Sequence, residues 1–316
     1  MKHIKLFLLA IILLTTTSIN ISAQADEISV ETNLVTLNVS VTDKNGEYVK
    51  NLKPEDFEVL DGRTKQQIEE FSTEDAPIYF GIVYDMHPTN REQTQNVLDA
   101  LKLFAAQLKQ KDDYFVTVFN ERGSLTTDFV PTSEQITKNI EINKPHTLYD
   151  AIAAASEKTR AHKNAKQILI VLTDGEDRAS SNSLKDLRRH LRAVNLPVYT
   201  VNFSKSAERA WNYTEIYRGQ EWRTLDAYET SELNKAALEE ISRTTGGKSF
   251  EKMIYSRLYL YTICTKILTE VENQYVLGFY PSESDGKWHK LEVSVRNGNG
   301  KMQLSNRKGY QSPAKQ

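Results

Sequence analysis

The chain has 316 residues, with 40 basic against 42 acidic side chains for a formal net charge of -2, 39% hydrophobic residues, 13 Gly and 8 Pro. That balance excludes the strongly basic footprint of a nucleic-acid binder and the polar, charge-rich composition of a disordered chain, and it supplies enough apolar material for a sizeable core. Cys264 is the single cysteine, so an internal disulfide is excluded and an exported form must be held by its core alone.

Residues 1–25 read as a secretory signal. Lys2 and Lys5 form the charged start, Leu6 to Leu14 the apolar segment, and Ala23, Gln24 and Ala25 a small-residue cleavage site. Cleavage after Ala25 predicts a secreted or periplasmic protein. The apolar run is shorter than the roughly 20 residues a span requires, so no stable membrane span is expected once the signal is removed.

Residues 33–72 have the pattern of strands. Leu34 to Val41 alternates with period two, Asn45-Gly46 marks a tight turn, and Asp61-Gly62 marks another after Phe57-Glu58-Val59-Leu60. At the other end, 274–280, 289–296 and 301–307 are again short strand patterns, separated by Asp285-Gly286 and Asn297-Gly298. Neither end can bury a core by itself. The expectation is one small β-sandwich built from residues 26–75 and 274–316, with residues 76–273 inserted between its parts.

The inserted part alternates strand and helix. Ile78 to Asp85 is a strand with the nearly continuous apolar run of a parallel sheet covered on both faces. Helical spacing follows over 97–108, then a strand at 113–119, a short strand at 125–129, and helices at 134–140 and 148–159. A strand at 167–173, a helix at 184–194, a strand at 197–203, a helix at 232–242, a strand at 248–252 and a helix at 257–273 complete the series. This order predicts an α/β fold with a doubly wound, mostly parallel sheet.

Ligands of open α/β sheets bind outside the carboxyl ends of the strands. Asp85 with Thr89 follows the first strand, Thr147 opens the helix at 148, and Asp174 ends Leu172-Thr173-Asp174. Two carboxylates and two hydroxyls suit a small hard divalent cation, Mg²⁺ or Mn²⁺. On these residues the chain resembles the von Willebrand factor A domain family, and as a whole it is similar to bacterial exported proteins in which such a domain sits in a β-rich frame. The resemblance implies a metal-ion-dependent adhesion site of the form Asp-x-Ser-x-Ser, Thr and Asp. Asp85 then matches the first Asp, Thr89 the second Ser, Thr147 the Thr, and Asp174 the last Asp. His87 stands where the family has its first Ser, and Pro88 where Gly is usual. An imidazole beside two carboxylates favours Mn²⁺ or Zn²⁺ over Mg²⁺. The function implied is a protein-binding or adhesion module that engages an acidic residue of a partner through the cation. The alternatives are a metal-independent structural or interaction module and, third, a metal-dependent hydrolase, which would need a base and an open coordination position.

Plainer roles compete for each residue. Asp85 and Asp174 can cap loops, Thr147 occupies an N-cap position, and His87 can be an exposed loop residue. Glu176 and Asp177 read as solvated acids, and Cys264 as core. Nothing marks an enzyme: Gly247-Lys248-Ser249 imitates the end of a phosphate loop but Ser242 replaces its first Gly, and neither Gly-x-Ser-x-Gly nor His-Glu-x-x-His occurs. The stretch 205–230 reads as a long loop carrying Trp211, Tyr213, Tyr217, Trp222 and Tyr228, the composition of a protein contact or of a self-packing lid that only covers the sheet edge.

Overall fold

The computed structural model describes residues 34–73, 76–86, 91–120, 123–140, 147–162, 166–177, 180–194, 196–202, 216–217, 220–221, 225–251, 256–296 and 302–312. The expected signal segment, His87, Thr89, Trp211, Tyr213 and Trp222 lie outside these residues.

The elements in order are β1 (Val35–Thr42), β2 (Phe57–Asp61), β3 (Thr64–Gln66), β4 (Glu70–Ser72), β5 (Ile78–Asp85), α1 (Arg91–Ala105), β6 (Asp113–Asn120), β7 (Gly123–Thr127), α2 (Ser133–Asn139), α3 (Leu148–Arg160) and β8 (Lys166–Thr173). They continue with α4 (Leu184–Val194), β9 (Val198–Asn202), β10 (Ile216–Tyr217), β11 (Gln220–Glu221), α5 (Leu225–Thr245), β12 (Ser249–Glu251), α6 (Arg257–Glu272), β13 (Tyr275–Phe279), β14 (Trp288–Val295), β15 (Gln303–Ser305) and β16 (Gly309–Gln311).

The central sheet has six strands in the order β12-β9-β8-β5-β6-β7. All its pairings are parallel except β6 with β7, an antiparallel edge. The apolar run of β5 is buried from Ile78 through Tyr84, because helices cover both faces. Phe80, Ile82 and Tyr84 pack with α1, α2 and α6 on one side. Tyr79 and Val83 pack with α3, α4 and α5 on the other. Cys264 is fully buried on α6, and burial pushes its thiol up to about 12, as a core residue requires.

The two ends of the chain interleave. One antiparallel sheet runs β15-β1-β13-β4 and the other β16-β14-β2-β3, so each draws strands from before and after the α/β part. Leu37, Val39, Phe57, Val59, Leu277, Phe279, Leu291 and Tyr310 meet in a shared core between them. This is the sandwich that short strands need, since neither end could bury an apolar face alone. Lys166, at the start of β8, is buried, and its Nζ donates to the carbonyls of Val271 (3.1 Å) and Gln274 (2.9 Å). A cation thus satisfies the end of α6 where the chain turns back into β13.

Three expectations need correction. The helix read over 232–242 is α5, and it begins at Leu225, so Tyr228 is helical rather than part of a long loop. Tyr217 lies in the two-residue pair β10 and β11. A last strand, β16, follows the three read at the carboxyl end; three residues are too few to show a period.

Among the described residues no helix is long and apolar enough to cross a membrane.

Candidate functional site

The chain leaves β5 through α1 on one face of the sheet and leaves β8 through α4 on the other. The two strands are direct neighbours, with Tyr84 opposite Leu172. Diverging connections from adjacent strands open a crevice between their carboxyl ends, the switch point at which such sheets bind ligands. Asp85 ends β5 there and Asp174 follows β8.

The buried hydroxyl of Thr173 couples these two loops. It donates to Asp85 Oδ2 (2.8 Å) and accepts from the Gly175 amide (3.0 Å). Gly175 adopts φ +82°, a conformation suited to glycine, and this turns the backbone sharply after Asp174. Asp174 Oδ1 accepts from the Glu176 amide (3.0 Å), which fixes the carboxylate on its loop. Asn120 and Asn202, both buried, end the flanking strands β6 and β9 and complete a polar edge. Beside it a groove of about 880 Å³ is lined by Met86, Glu92, Thr94, Asn120, Ile136 and Ile140.

Thr147 stands at the N-cap of α3, buried and extended (φ -106°, ψ 164°), but its side chain makes no capping bond. Its hydroxyl bonds that of Ser180. Ser180 Oγ accepts from the amides of Tyr149 (3.1 Å) and Asp150 (3.3 Å) and donates to Asp177 Oδ1. Asp177 is therefore an internal partner rather than a solvated acid, while Glu176 is exposed. Burial pushes the Tyr149 phenol up, and the Asp177 charge adds to that. The Asp150 carboxylate accepts from Ser181 N (2.8 Å), Asn182 N (3.0 Å) and Asn182 Nδ2 (2.7 Å). Burial pushes its acidity one way, and these donors prevail in holding it below the usual range.

Of the five residues expected to hold a cation, Asp85, Thr147 and Asp174 are described, and the first and last are brought to one crevice. Among the described residues the expected donors are oxygens, two carboxylates and a hydroxyl, which fits a hard divalent cation. Sequence reading missed Thr173, Asp177 and Ser180. Ser180 opens Ser180-Ser181-Asn182-Ser183, which reads naturally as the start of α4. Ser183 does cap α4, accepting from Asp186 N at 3.2 Å and donating to Asp186 Oδ2 at 2.6 Å.

A second cluster lies in the sandwich. Glu283, Asp285 and His289 place ligand-type atoms within 4.8 Å of one another, the one such group of three found among the described residues. Its bonding is that of a charged imidazole. His289 Nδ1 faces Asp61 at 2.9 and 3.1 Å, and Nε2 faces Asp285 Oδ1 at 3.0 Å. Tyr310 OH donates to Asp61 Oδ2 (2.7 Å) and Lys287 Nζ pairs with Asp285 Oδ2 (3.1 Å).

Residues 81–220 match the family model described as the von Willebrand factor type A domain. No curated protein matches the chain. Similar solved structures include an aerotolerance-related membrane protein from Bacteroides fragilis, 15% identical, with a TM-score of 0.39 over 61% of this chain and 98% of that one. BatB from Bacteroides thetaiotaomicron is 16% identical, with a TM-score of 0.40 over 62% and 100%. A von Willebrand factor type A protein from Catenulispora acidiphila is 11% identical, with a TM-score of 0.42 over 88% and 74%.

Proposed function

Residues 81–220 are a von Willebrand factor type A domain, and on that premise we propose that the chain is an exported protein-binding module that engages a partner through a divalent cation at the carboxyl edge of its parallel sheet. The observation that carries this reading is the pair of strand-end acids, Asp85 and Asp174, on two loops that the Thr173 hydroxyl ties together at the switch point between β5 and β8, donating to Asp85 Oδ2 and accepting from the Gly175 amide. Asp85, Asp174 and the hydroxyl of Thr147 would hold the cation, with Thr89 and His87 as the further ligands that the sequence motif implies. The cation supplies a positive charge at the protein surface to which an Asp or Glu of the partner can bind. The protein's own part is to fix the carboxylates before the partner arrives, so that little ordering remains to be done on binding. The groove beside Met86 and Ile140 gives the partner apolar surface next to that charge. The reading is of a binding protein rather than an enzyme.

Thermal unfolding with Mg²⁺ or Mn²⁺ at millimolar levels tests it. A ligand that binds only the folded state raises the melting temperature, by about 2.7 kcal/mol of stability at one hundred times its Kd. The rise should vanish in Asp85→Ala and in Asp174→Ala, and persist in Asp285→Asn, which alters only the sandwich cluster. A wild-type melting temperature indifferent to all cations would leave a metal-independent interaction module.

A further inference from the structure

An N-cap threonine ordinarily turns its hydroxyl onto the free amides of its own helix. At α3 the amides of Tyr149 and Asp150 are instead taken by Ser180, 33 residues away from Thr147 in sequence. A hydroxyl has one proton and two lone pairs, and the Tyr149 amide is shared between Ser180 Oγ and Asp177 Oδ1 (3.3 Å), which leaves the Ser180 oxygen room to accept from Thr147 as well. Ser180 directs its proton to Asp177 Oδ1, so in the Thr147–Ser180 bond Thr147 is the donor. The Thr147 oxygen therefore has its proton engaged and its lone pairs relieved of capping. The third residue of α3 is diverted in the same way. Asp150 would complete a local capping box by returning to the N-cap amide, but its carboxylate accepts from Ser181 and Asn182. The result is a capping box spread over two segments, in which the loop caps the helix and the helix holds the loop.

From this geometry we infer that Ser180, oriented by Asp177, is a positioning residue: it substitutes for Thr147 as the cap of α3 and so keeps the Thr147 hydroxyl oxygen available as a cation ligand. The second half rests on the cation reading above, and the first half stands without it. Loss of Ser180 should let Thr147 fall back onto its own helix. One cap then replaces another, so the fold is retained while a ligand is withdrawn from the cation.

The experiment uses the full chain with Mn²⁺ as probe. In Ser180→Ala, calorimetric titration should show Mn²⁺ affinity weakened by about 10- to 100-fold, the range seen when an outer-shell partner of a metal ligand is removed. The melting temperature without cation should stay close to wild type. Ser180→Thr, which keeps the hydroxyl, should restore affinity, and Asp177→Asn should weaken it. A crystal structure of Ser180→Ala supplies a readout independent of metal: Thr147 Oγ1 should lie within hydrogen-bond distance of the Tyr149 or Asp150 amide. Wild-type Mn²⁺ affinity in Ser180→Ala overturns the positioning role. A Thr147 hydroxyl that stays off its own helix in that crystal overturns the cap substitution. If wild type takes up no Mn²⁺, the cation half fails, and the rotamer of Thr147 alone decides the capping half.

Discussion

Replacing His289 by alanine removes the cation between two carboxylates in the sandwich, and the structure sets what that should cost. Asp61 is the buried partner, its side chain only 6% exposed, whereas Asp285 is 26% exposed and also meets Lys287. Breaking a buried pair costs about 3–5 kcal/mol because the remaining charge stays buried without its counter-ion. Tyr310 still donates to Asp61, and Asp285 can turn to water, so the low end applies, about 3 kcal/mol. At about 2 °C per kcal/mol for a chain of this size, the melting temperature should fall by roughly 6 °C. The pH dependence follows from the same contacts. Burial lowers the His289 pKa, but the bonds and charges of Asp285 and Asp61 prevail and raise it above the ordinary value. The other titratable or charged groups facing the cluster are Glu283, Lys287, Tyr310 and, across the Tyr310 ring, Arg307. A raised folded pKa means that the stabilisation is fully present below about pH 6.5, the unfolded value, and is lost as pH rises through the folded value. Thermal or urea unfolding of wild type and His289→Ala, from pH 6 to pH 9, measures both effects. The two proteins should converge as pH rises. A cost below about 1 kcal/mol at pH 6, or a gap between them that does not narrow with pH, would refute a charged His289.

The remaining expectations concern packing and the crevice. Gly81→Ala places a methyl group against Thr159 Oγ1, 2.8 Å from Leu169 Cδ1 and 2.9 Å from Phe115 Cζ, and overpacking between β5 and α3 should cost about 1–3 kcal/mol by chemical denaturation. Lys166→Met keeps the aliphatic stem but leaves the Val271 and Gln274 carbonyls without their donor, for a loss of about 1–3 kcal/mol. Thr173→Val removes the hydroxyl between the two site loops. It should lower stability by about 1–3 kcal/mol and weaken Mn²⁺ binding, the second effect separating it from a purely structural position such as Gly81.

Much of the architecture was determined by local pattern. A run such as Ile82-Val83-Tyr84 before Asp85 is compatible with few environments other than a covered parallel strand, and its alternation with helical spacing specifies layers on both faces. The same logic made the terminal strands pair across the inserted part, since a face that cannot be buried locally must be buried elsewhere. Asp85, Thr147 and Asp174 were legible as strand-end and helix-start oxygens for that reason. Local pattern is silent where a contact joins distant segments. That Thr173 bridges Asp85 to Gly175, and that Ser180 caps α3 in place of Thr147, depends on which strands become neighbours and how closely their loops approach. His289 reads in sequence as one residue of a half-exposed strand. Only the pairing of β14 with β2, which sets it beside Asp61, makes it a charged clasp, because a hydrogen bond between residues 228 positions apart is created by the fold and leaves no periodic trace in the chain.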